Sequence, residues 1–374
     1  MSTYQITPLM KNAIKFGITI AITIAVIASS GAISFPSLIL GTGLQDSNDN
    51  GDTNIQTGEQ KSLRIGYFPN INHAQAVIGL GNGDFQRALG DNVQVTTQIF
   101  NAGPSAIEAL FANQIDVTYI GPNPAINGYV QSNGEALRII SGSASGGAVF
   151  VVRNDSGINS PQDLANKKFS SPQLGNTQDV ALRNYLLDNG YNTKDKGGNV
   201  DVIPARTADI VSMMTKKDID GAWVPEPWGA KLIKETNAKV LVDERDLWPN
   251  GQFVTAHIIA RTDYLEENPD VIKKLLEAQI DETNWVNDNP DGALQIFNEE
   301  LDKLTGKVIP EDEYREGMSR LELTFDPVKE SLFKSANDAF DIGFLGKTRP
   351  DLSRIYDLTI LNEVLKERGL PEIT

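Results

Sequence analysis

The sequence predicts an α/β fold of two lobes behind an apolar N-terminal segment, on three observations. From residue 63 onward, β-branched and aromatic runs alternate with runs at helical spacing. Two strand-like segments, 148–153 and 253–261, are candidates for crossovers between lobes. Residues 16–44 contain no charged side chain at all.

The chain has 374 residues, enough to bury two packed lobes, and 40% hydrophobic with 22% charged residues is the composition of a globular protein. Its formal net charge of −16 repels nucleic acid, and no basic stretch argues otherwise. An anionic ligand would gain nothing from long-range steering, so a site for one must work through local dipoles. There is no cysteine, which removes disulfides, thiolate zinc sites, a cysteine nucleophile and a lipid-modified N-terminal cysteine.

Taken in order, residues 16–44 are long enough to cross a bilayer with some tilt. Lys11 and Lys15 precede them, which puts the N-terminus in the cytoplasm and the rest outside. Residues 1–44 therefore read as one transmembrane helix that anchors the chain. The alternative is a cleaved signal peptide, with Ala28-Ser-Ser-Gly-Ala32 as the small-residue region. Residues 45–61 are a polar linker. Asp46, Asn48, Asn50 and Gly51 match the first half of a calcium loop, but Thr57 stands where a bidentate Glu belongs, so the segment reads as a tether.

Strands are expected at 63–68, 93–100, 116–121, 137–142 and 148–153, with helices at 73–80, 105–113 and 122–131 between them. The alternation resumes with strands at 201–205, 221–224, 239–242 and 253–260 and a helix at 208–215. It then turns helical at 271–285, 293–304, 328–340 and 356–365. The expected sheets are mostly parallel and covered on both faces. Residues 62–152 and 253–374 make lobe 1, and 153–252 make lobe 2, with a ligand cleft between them.

Five motifs could carry chemistry. In 170–186 an extended piece runs into a Pro/Gly loop and opens a helix, with Asn176 as N-cap and Asp179 three residues on, close to a capping box. Free N–H groups there, with Asn176, Thr177 and Gln178, form a neutral anion trap. Tyr67-Phe-Pro-Asn-Ile-Asn-His73 follows the first strand, where Asn70, Asn72 and His73 can donate hydrogen bonds. Tyr119-Ile-Gly-Pro-Asn-Pro-Ala125 also follows a strand, with Pro122 suited to a helix start and Gly121 allowing close backbone approach. Ser141-Gly-Ser-Ala-Ser-Gly-Gly147 reads as a Gly/Ser loop between two strands, and Ala144 at its centre rules out a nucleophile elbow. Ala222-Trp-Val-Pro-Glu-Pro-Trp-Gly229 offers a rigid aromatic wall and Glu226. The helix at 208–215, by contrast, carries no ligand motif. The two histidines, His73 and His257, are far apart and show no metal spacing, so neither a metal site, a catalytic residue nor a cofactor is expected, and His257 reads as structural.

Together GYFPNINHA, FNAGPSAIEALFANQID, YIGPNPAINGYVQS, PQLGNTQDVALR, DGAWVPEPWGA and LVDERDLWPNGQFVT resemble the sulfonate/nitrate/taurine family of ABC-transporter substrate-binding proteins, nearest its aliphatic-sulfonate branch. The resemblance runs from about residue 63 to the C-terminus. It implies the two-lobed type II periplasmic-binding-protein fold with two inter-lobe crossovers, and a small oxyanion as ligand. It also implies an ABC permease and its ATPase subunit as partners, and binding lobes outside the cell membrane. The positions that match the family's ligand loops are Asn70 and His73, Gly121, Pro122 and Asn123, Ser143, Ser145 and Gly146, Asn176, Thr177 and Gln178, and Glu226 and Trp228. The apolar tail of an alkanesulfonate would lie against Trp223 or Trp228. Where many members carry an acidic residue and paired prolines, this chain has Gly121-Pro-Asn-Pro-Ala, and sulfonate, nitrate, bicarbonate and taurine all stay open. Two rivals exist. Thiamine-pyrimidine synthases resemble the family, but their cysteine-rich signature is missing. A transmembrane sensor would need more than the fifteen residues before the apolar run as its output domain.

Overall fold

The structure, a computed structural model, describes residues 60–374. The expected anchor over 1–44, its signal-peptide alternative and the partial calcium loop lie outside the described residues. Among the described residues no helix is long and apolar enough to cross a membrane.

The chain begins with β1 (Lys61–Tyr67), a tight turn at 71–73, then α1 (Ala74–Gly81) and α2 (Asp84–Leu89). It continues through β2 (Val93–Ile99), α3 (Gly103–Phe111), β3 (Val117–Ile120), α4 (Pro122–Gln131) and β4 (Leu137–Gly146). Next come β5 (Ala148–Arg153), β6 (Lys168–Ser171), α5 (Thr177–Asp188), β7 (Asp201–Pro204) and α6 (Thr207–Thr215). β8 (Gly221–Pro225), α7 (Trp228–Thr236) and β9 (Ala238–Asp243) follow. The last part holds β10 (Val254–Arg261), α8 (Thr262–Glu267), α9 (Pro269–Asp288), α10 (Pro290–Thr305), α11 (Glu311–Met318), β11 (Leu321–Leu323), α12 (Lys329–Asp341) and α13 (Thr359–Glu367). Prolines mark several helix starts: α3, α4, α9 and α10 each carry one in the first turn, where its missing N–H costs nothing.

Two sheets result. One has the order β11-β4-β10-β3-β1-β2, the other β7-β6-β8-β5-β9. The sheets are mixed rather than mostly parallel. β1 runs parallel to β2 and β3, and β6 parallel to β7 and β8. The antiparallel members are the short edge strand β11 against β4 and the strands by which the chain arrives from the other sheet: β10 against β3 and β4, and β5 against β8 and β9. A strand entering from the far lobe threads its new sheet from the opposite end, so its direction reverses.

The first passage between sheets is narrower than expected. It falls at Gly146 and Gly147, both at positive φ (75° and 77°), which glycine adopts without a Cβ penalty. Segment 148–153 thus lies wholly in the second sheet. The return runs through short turns over 244–251 into β10.

Each sheet is covered on both faces by apolar side chains. Ile65, Ile78 and Phe85 pack with Leu275 and Ile280 of α9 on one face of the first sheet, and Ile107, Ile126 and Leu332 on the other. Phe150, Phe169 and Trp223 fill one face of the second sheet, and Val149, Ile210 and Leu232 the other. These faces leave the carboxyl ends of β1, β3, β6 and β8 pointing into the space between the sheets, where the loops that follow them meet.

Segment 141–147 is strand, not loop. β4 runs through it and pairs with both β10 and β11. The Gly and Ser residues there let the chain near residue 325 come close: a Cβ on Gly142 would sit 2.1 Å from the Asp326 carbonyl oxygen. Gly142 N donates to Phe325 O and Thr324 N to Ser143 O.

Candidate functional site

A small cavity of about 30 Å³ lies between the two sheets. From the first sheet's side it is lined by Asn70, Asn72 and His73 in the turn after β1, by Asn101 and Ala102 after β2, and by Gly121 after β3. From the second sheet's side come Asn176, Thr177 and Gln178 after β6, Thr207 after β7 and Pro225 at the end of β8. Phe68, Pro172 and Thr255, the last on the returning strand β10, complete the lining.

These positions share one property. His73, Ala102, Gly121 and Asn176 are the N-cap residues of α1, α3, α4 and α5, and Thr207 is the first residue of α6. Five helix N-termini therefore converge on one spot. Four of them bring unpaired backbone N–H groups and the positive end of a dipole, while α1 continues the 71–73 turn, with Ala74 N bonded to Ile71 O and His73 N to Asn70 O. No residue lining the cavity is Asp, Glu, Lys or Arg. The arrangement is a trap for negative charge assembled without a formal cation.

Three buried polar atoms in this lining have no hydrogen-bond partner: Asn72 Oδ1, His73 Nδ1 and Thr177 Oγ1. Buried polar groups in folded proteins are nearly always paired, because leaving one bare costs roughly 1 to 3 kcal/mol. Three such atoms on one small cavity mark a place built for something else to bond. His73 is 1% exposed, with Phe68 at 4.7 Å and Tyr119 at 6.0 Å between ring centroids. Burial pushes its imidazole down to about 3, so it is neutral at physiological pH and offers one N–H rather than a charge.

The α5 start is held as follows. Asp179 takes Ser171 Oγ at 2.7 Å, Gly175 N at 2.9 Å and Arg183 Nε at 3.1 Å. Its carboxylate pins the Pro172–Asn176 loop. Asn176 sits at the N-cap with extended φ/ψ, but its side chain makes no capping bond, so the expected near-capping box is replaced by the Asp179 contacts. Thr177 then packs against Gly121 across the cleft, where a Cβ on residue 121 would meet Thr177 Oγ1 at 2.3 Å. Only glycine allows this closure. Nearby, Trp228 Nε1 donates to Asn70 Oδ1 at 3.1 Å, a second bond between the two sides.

The remaining expected positions are elsewhere. Pro122 and Asn123 begin α4, and Asn123 Nδ2 donates to Ser335 O, holding α12. Ser143 Oγ bonds Asn72 O and Gln75 Oε1 at 3.2 Å each, bracing the His73 turn from behind. Ser145 Oγ accepts from Phe253 N, and Gly146 lies at the passage between sheets. Glu226 is fully buried, accepts Ala230 N at 2.9 Å and pairs with Arg320 at 2.7 Å. Burial raises its carboxyl, while the Ala230 N–H and Arg320 oppose that rise. None of these lines the cavity. Trp223 is a core residue, stacked on Phe150 at 5.2 Å with its Nε1 donating to Glu244, so it cannot receive a ligand tail. His257 is buried in β10 with Nε2 bonded to Pro327 O, as its structural reading implied.

Sequence reading missed Asn101, Thr207 and Thr255. Thr207 opens the helix expected to carry no ligand motif. Its signal was weak: Arg206-Thr207 lacks the Gly or Pro that flagged the other turns. Among the described residues no group of three or more His, Cys, Asp or Glu could hold a metal ion.

Comparison with known proteins fits this geometry. The model of the NMT1-like family matches residues 56–297. The chain belongs to that family. A Brucella abortus protein named as a binding protein is 26% identical over 258 residues, covering 63% of this chain and 77% of its own. A Bacillus subtilis protein named for binding aliphatic sulfonates is 24% identical over 319 residues, covering 83% of this chain and 90% of its own. Among solved structures, the alkanesulfonate-binding protein of Xanthomonas axonopodis pv. citri bound to MOPS superposes with a TM-score of 0.64 at 17% identity, covering 78% of this chain and 96% of its own. The two-lobed periplasmic-binding-protein fold is thereby established. These relatives are binding proteins, and the chain stands with them rather than with enzymes.

Proposed function

We propose that the protein is the extracytoplasmic substrate-binding component of an ABC importer, capturing a small oxyanion, an aliphatic sulfonate above all, for a permease and its ATPase subunit. The observation that carries this reading is the convergence of helix N-termini on a charge-free cavity where two unpartnered groups, Thr177 Oγ1 and His73 Nδ1, can donate to an anion. A sulfonate stays anionic at any relevant pH, and its oxygens accept bonds from Thr177 Oγ, the Thr177 and Gln178 backbone N–H groups and His73. The names of the relatives support the same ligand class. Residues 1–44 would tether the two lobes, 62–152 with 253–374 and 153–252, to the outer face of the membrane. Closure of the lobes would enclose the ligand beside Gly121 and Thr177, which touch across the cleft.

The cavity's neutrality suits nitrate, bicarbonate or taurine as a second reading. A thermal-shift screen of the full chain against methanesulfonate, longer alkanesulfonates, nitrate, bicarbonate and taurine decides it. A ligand at a hundred times its Kd adds about 2.7 kcal/mol of stability, a rise of a few degrees in Tm. Silence from every one of these anions would overturn the proposal.

A further inference from the structure

Away from the cleft, a buried carboxyl on α9 lacks a partner. Glu282 is 5% exposed, and its Oε1 is buried with no hydrogen bond. It lines a surface pocket of about 460 Å³ between α2 and α9. Ala278, Asp281, Glu282 and Trp285 present one face of α9 to this pocket, and Asp84 and Ala88 of α2 stand opposite. Trp285, 36% exposed, is one turn beyond Glu282. The two alanines leave room where longer side chains would close the gap.

The other carboxylates on the pocket are answered inside the protein. Asp84 pairs with Arg87 and Asp281 with Arg368. Glu282 Oε1 has no such partner, although a bare buried polar atom is costly. Burial raises this carboxyl to about 8; Asp84 and Asp281 push the same way, and Arg87 pulls against them. Alone, Glu282 therefore keeps its proton at neutral pH, and a cation brought against it would drive that proton off. Three carboxylates against two guanidiniums would then leave one negative charge, which one cation completes. Among the described residues no group of three or more His, Cys, Asp or Glu is placed to hold a metal ion, so the fitting cation is an organic one.

We propose that this pocket is a second binding site, taking the ammonium or guanidinium group of an organic cation, with Glu282 as counter-ion and Trp285 as the surface against which its body lies. A cation over an aromatic face is drawn by the negative face of the ring, most strongly over Trp. Every residue of the site belongs to the first lobe, so occupancy requires no closure of the cleft and no anion in it.

Calorimetry of the full chain with butylammonium, butylguanidinium and uncharged butanol, near neutral pH in buffers of different ionisation enthalpy, tests this. Both cations should bind and each release about one proton, and butanol should not bind. Glu282→Gln keeps the shape and neutrality of the protonated side chain, so this variant should fold. It should weaken both cations by roughly tenfold and abolish the proton release. Trp285→Leu should weaken them by roughly two- to fivefold and keep the release. A blocked Gly-Arg-Gly peptide bound about tenfold more tightly than butylguanidinium would assign the cation to a partner's side chain, and equal or weaker binding would assign it to a free small molecule. No saturable binding of either cation, butanol binding as tightly as butylammonium, or undiminished binding to Glu282→Gln would overturn the site.

Discussion

The cleft and the hinge treat charge in opposite ways. In the cleft, donors from Asn70 to Thr207 carry partial charges only, and three polar atoms are left bare. At the hinge, Glu226 and Arg320 pair at 2.7 Å, and Arg245 and Asp243 at 2.7 Å beside them. There Gly147 N donates to Arg320 O, and Glu226 N to Gly147 O, so the ion pairs grip the glycine passage itself. A buried charge that has its partner inside the protein supports structure. A buried dipole without one is free to meet a ligand.

Three measurements press on that contrast. Glu226→Ala removes the buried partner of Arg320 and bares Ala230 N, with Glu316 and Asp243 still beside the guanidinium, and should cost about 3 kcal/mol of stability by chemical denaturation. Folded variant should bind within threefold of the parent; a loss of affinity without loss of stability would move Glu226 into the site.

A smaller effect is expected in the cleft. Thr177→Ala and Gln178→Ala each remove a donor to a charged group, worth roughly 1.5 to 3 kcal/mol, and should weaken sulfonate binding by roughly ten- to a hundredfold with Tm nearly constant. Glu363→Ala is the control, because Glu363 is exposed on α13, does not line the cavity and is paired with Lys273. Parent-like affinity in both cleft variants would reduce their side chains to turn residues.

The third effect is one of pH, and it vanishes at neutral pH. His73 and His257 have folded pKa values near 3 and 4, against an ordinary 6.5. As pH falls below 6.5 the unfolded chain takes up protons that the folded chain refuses. These two groups therefore destabilise progressively from about pH 6.5 down to their folded values, and contribute no such loss above it. NMR of the two imidazoles should show no titration between pH 8 and 5. A midpoint near 6.5 for His73 would mean a solvated, chargeable ring and end the description of a neutral cavity.

Much of the cleft was legible because its parts are local. A strand followed by Gly, Pro or Asn and then a helix announces a loop of free N–H groups, and that marked 70–73, 121–124 and 176–178. Elements followed the same logic, and α4 and α9 began at their prolines. What stayed hidden was non-local. Ser143 and Ser145 looked like a loop because Gly/Ser composition is the same whether a chain is flexible or closely packed; the deciding neighbour is residue 325. Glu226 looked like a ligand residue because Arg320 lies 94 positions away. Trp223 and Trp228 stand in one motif, but the strand buries the first and the helix start turns the second to Asn70. Thr207 needed three dimensions, since nothing beside it marks a turn.

The convergent helix ends also set how the anion is sorted by its water. A cation in the site would reward charge density, drawing sulfate and phosphate dianions most strongly. Helix ends also draw a dianion more strongly, but only in proportion to its charge, whereas the cost of stripping its hydration shell rises with the square of that charge. Singly charged, diffusely charged, loosely hydrated ions give that shell up most readily.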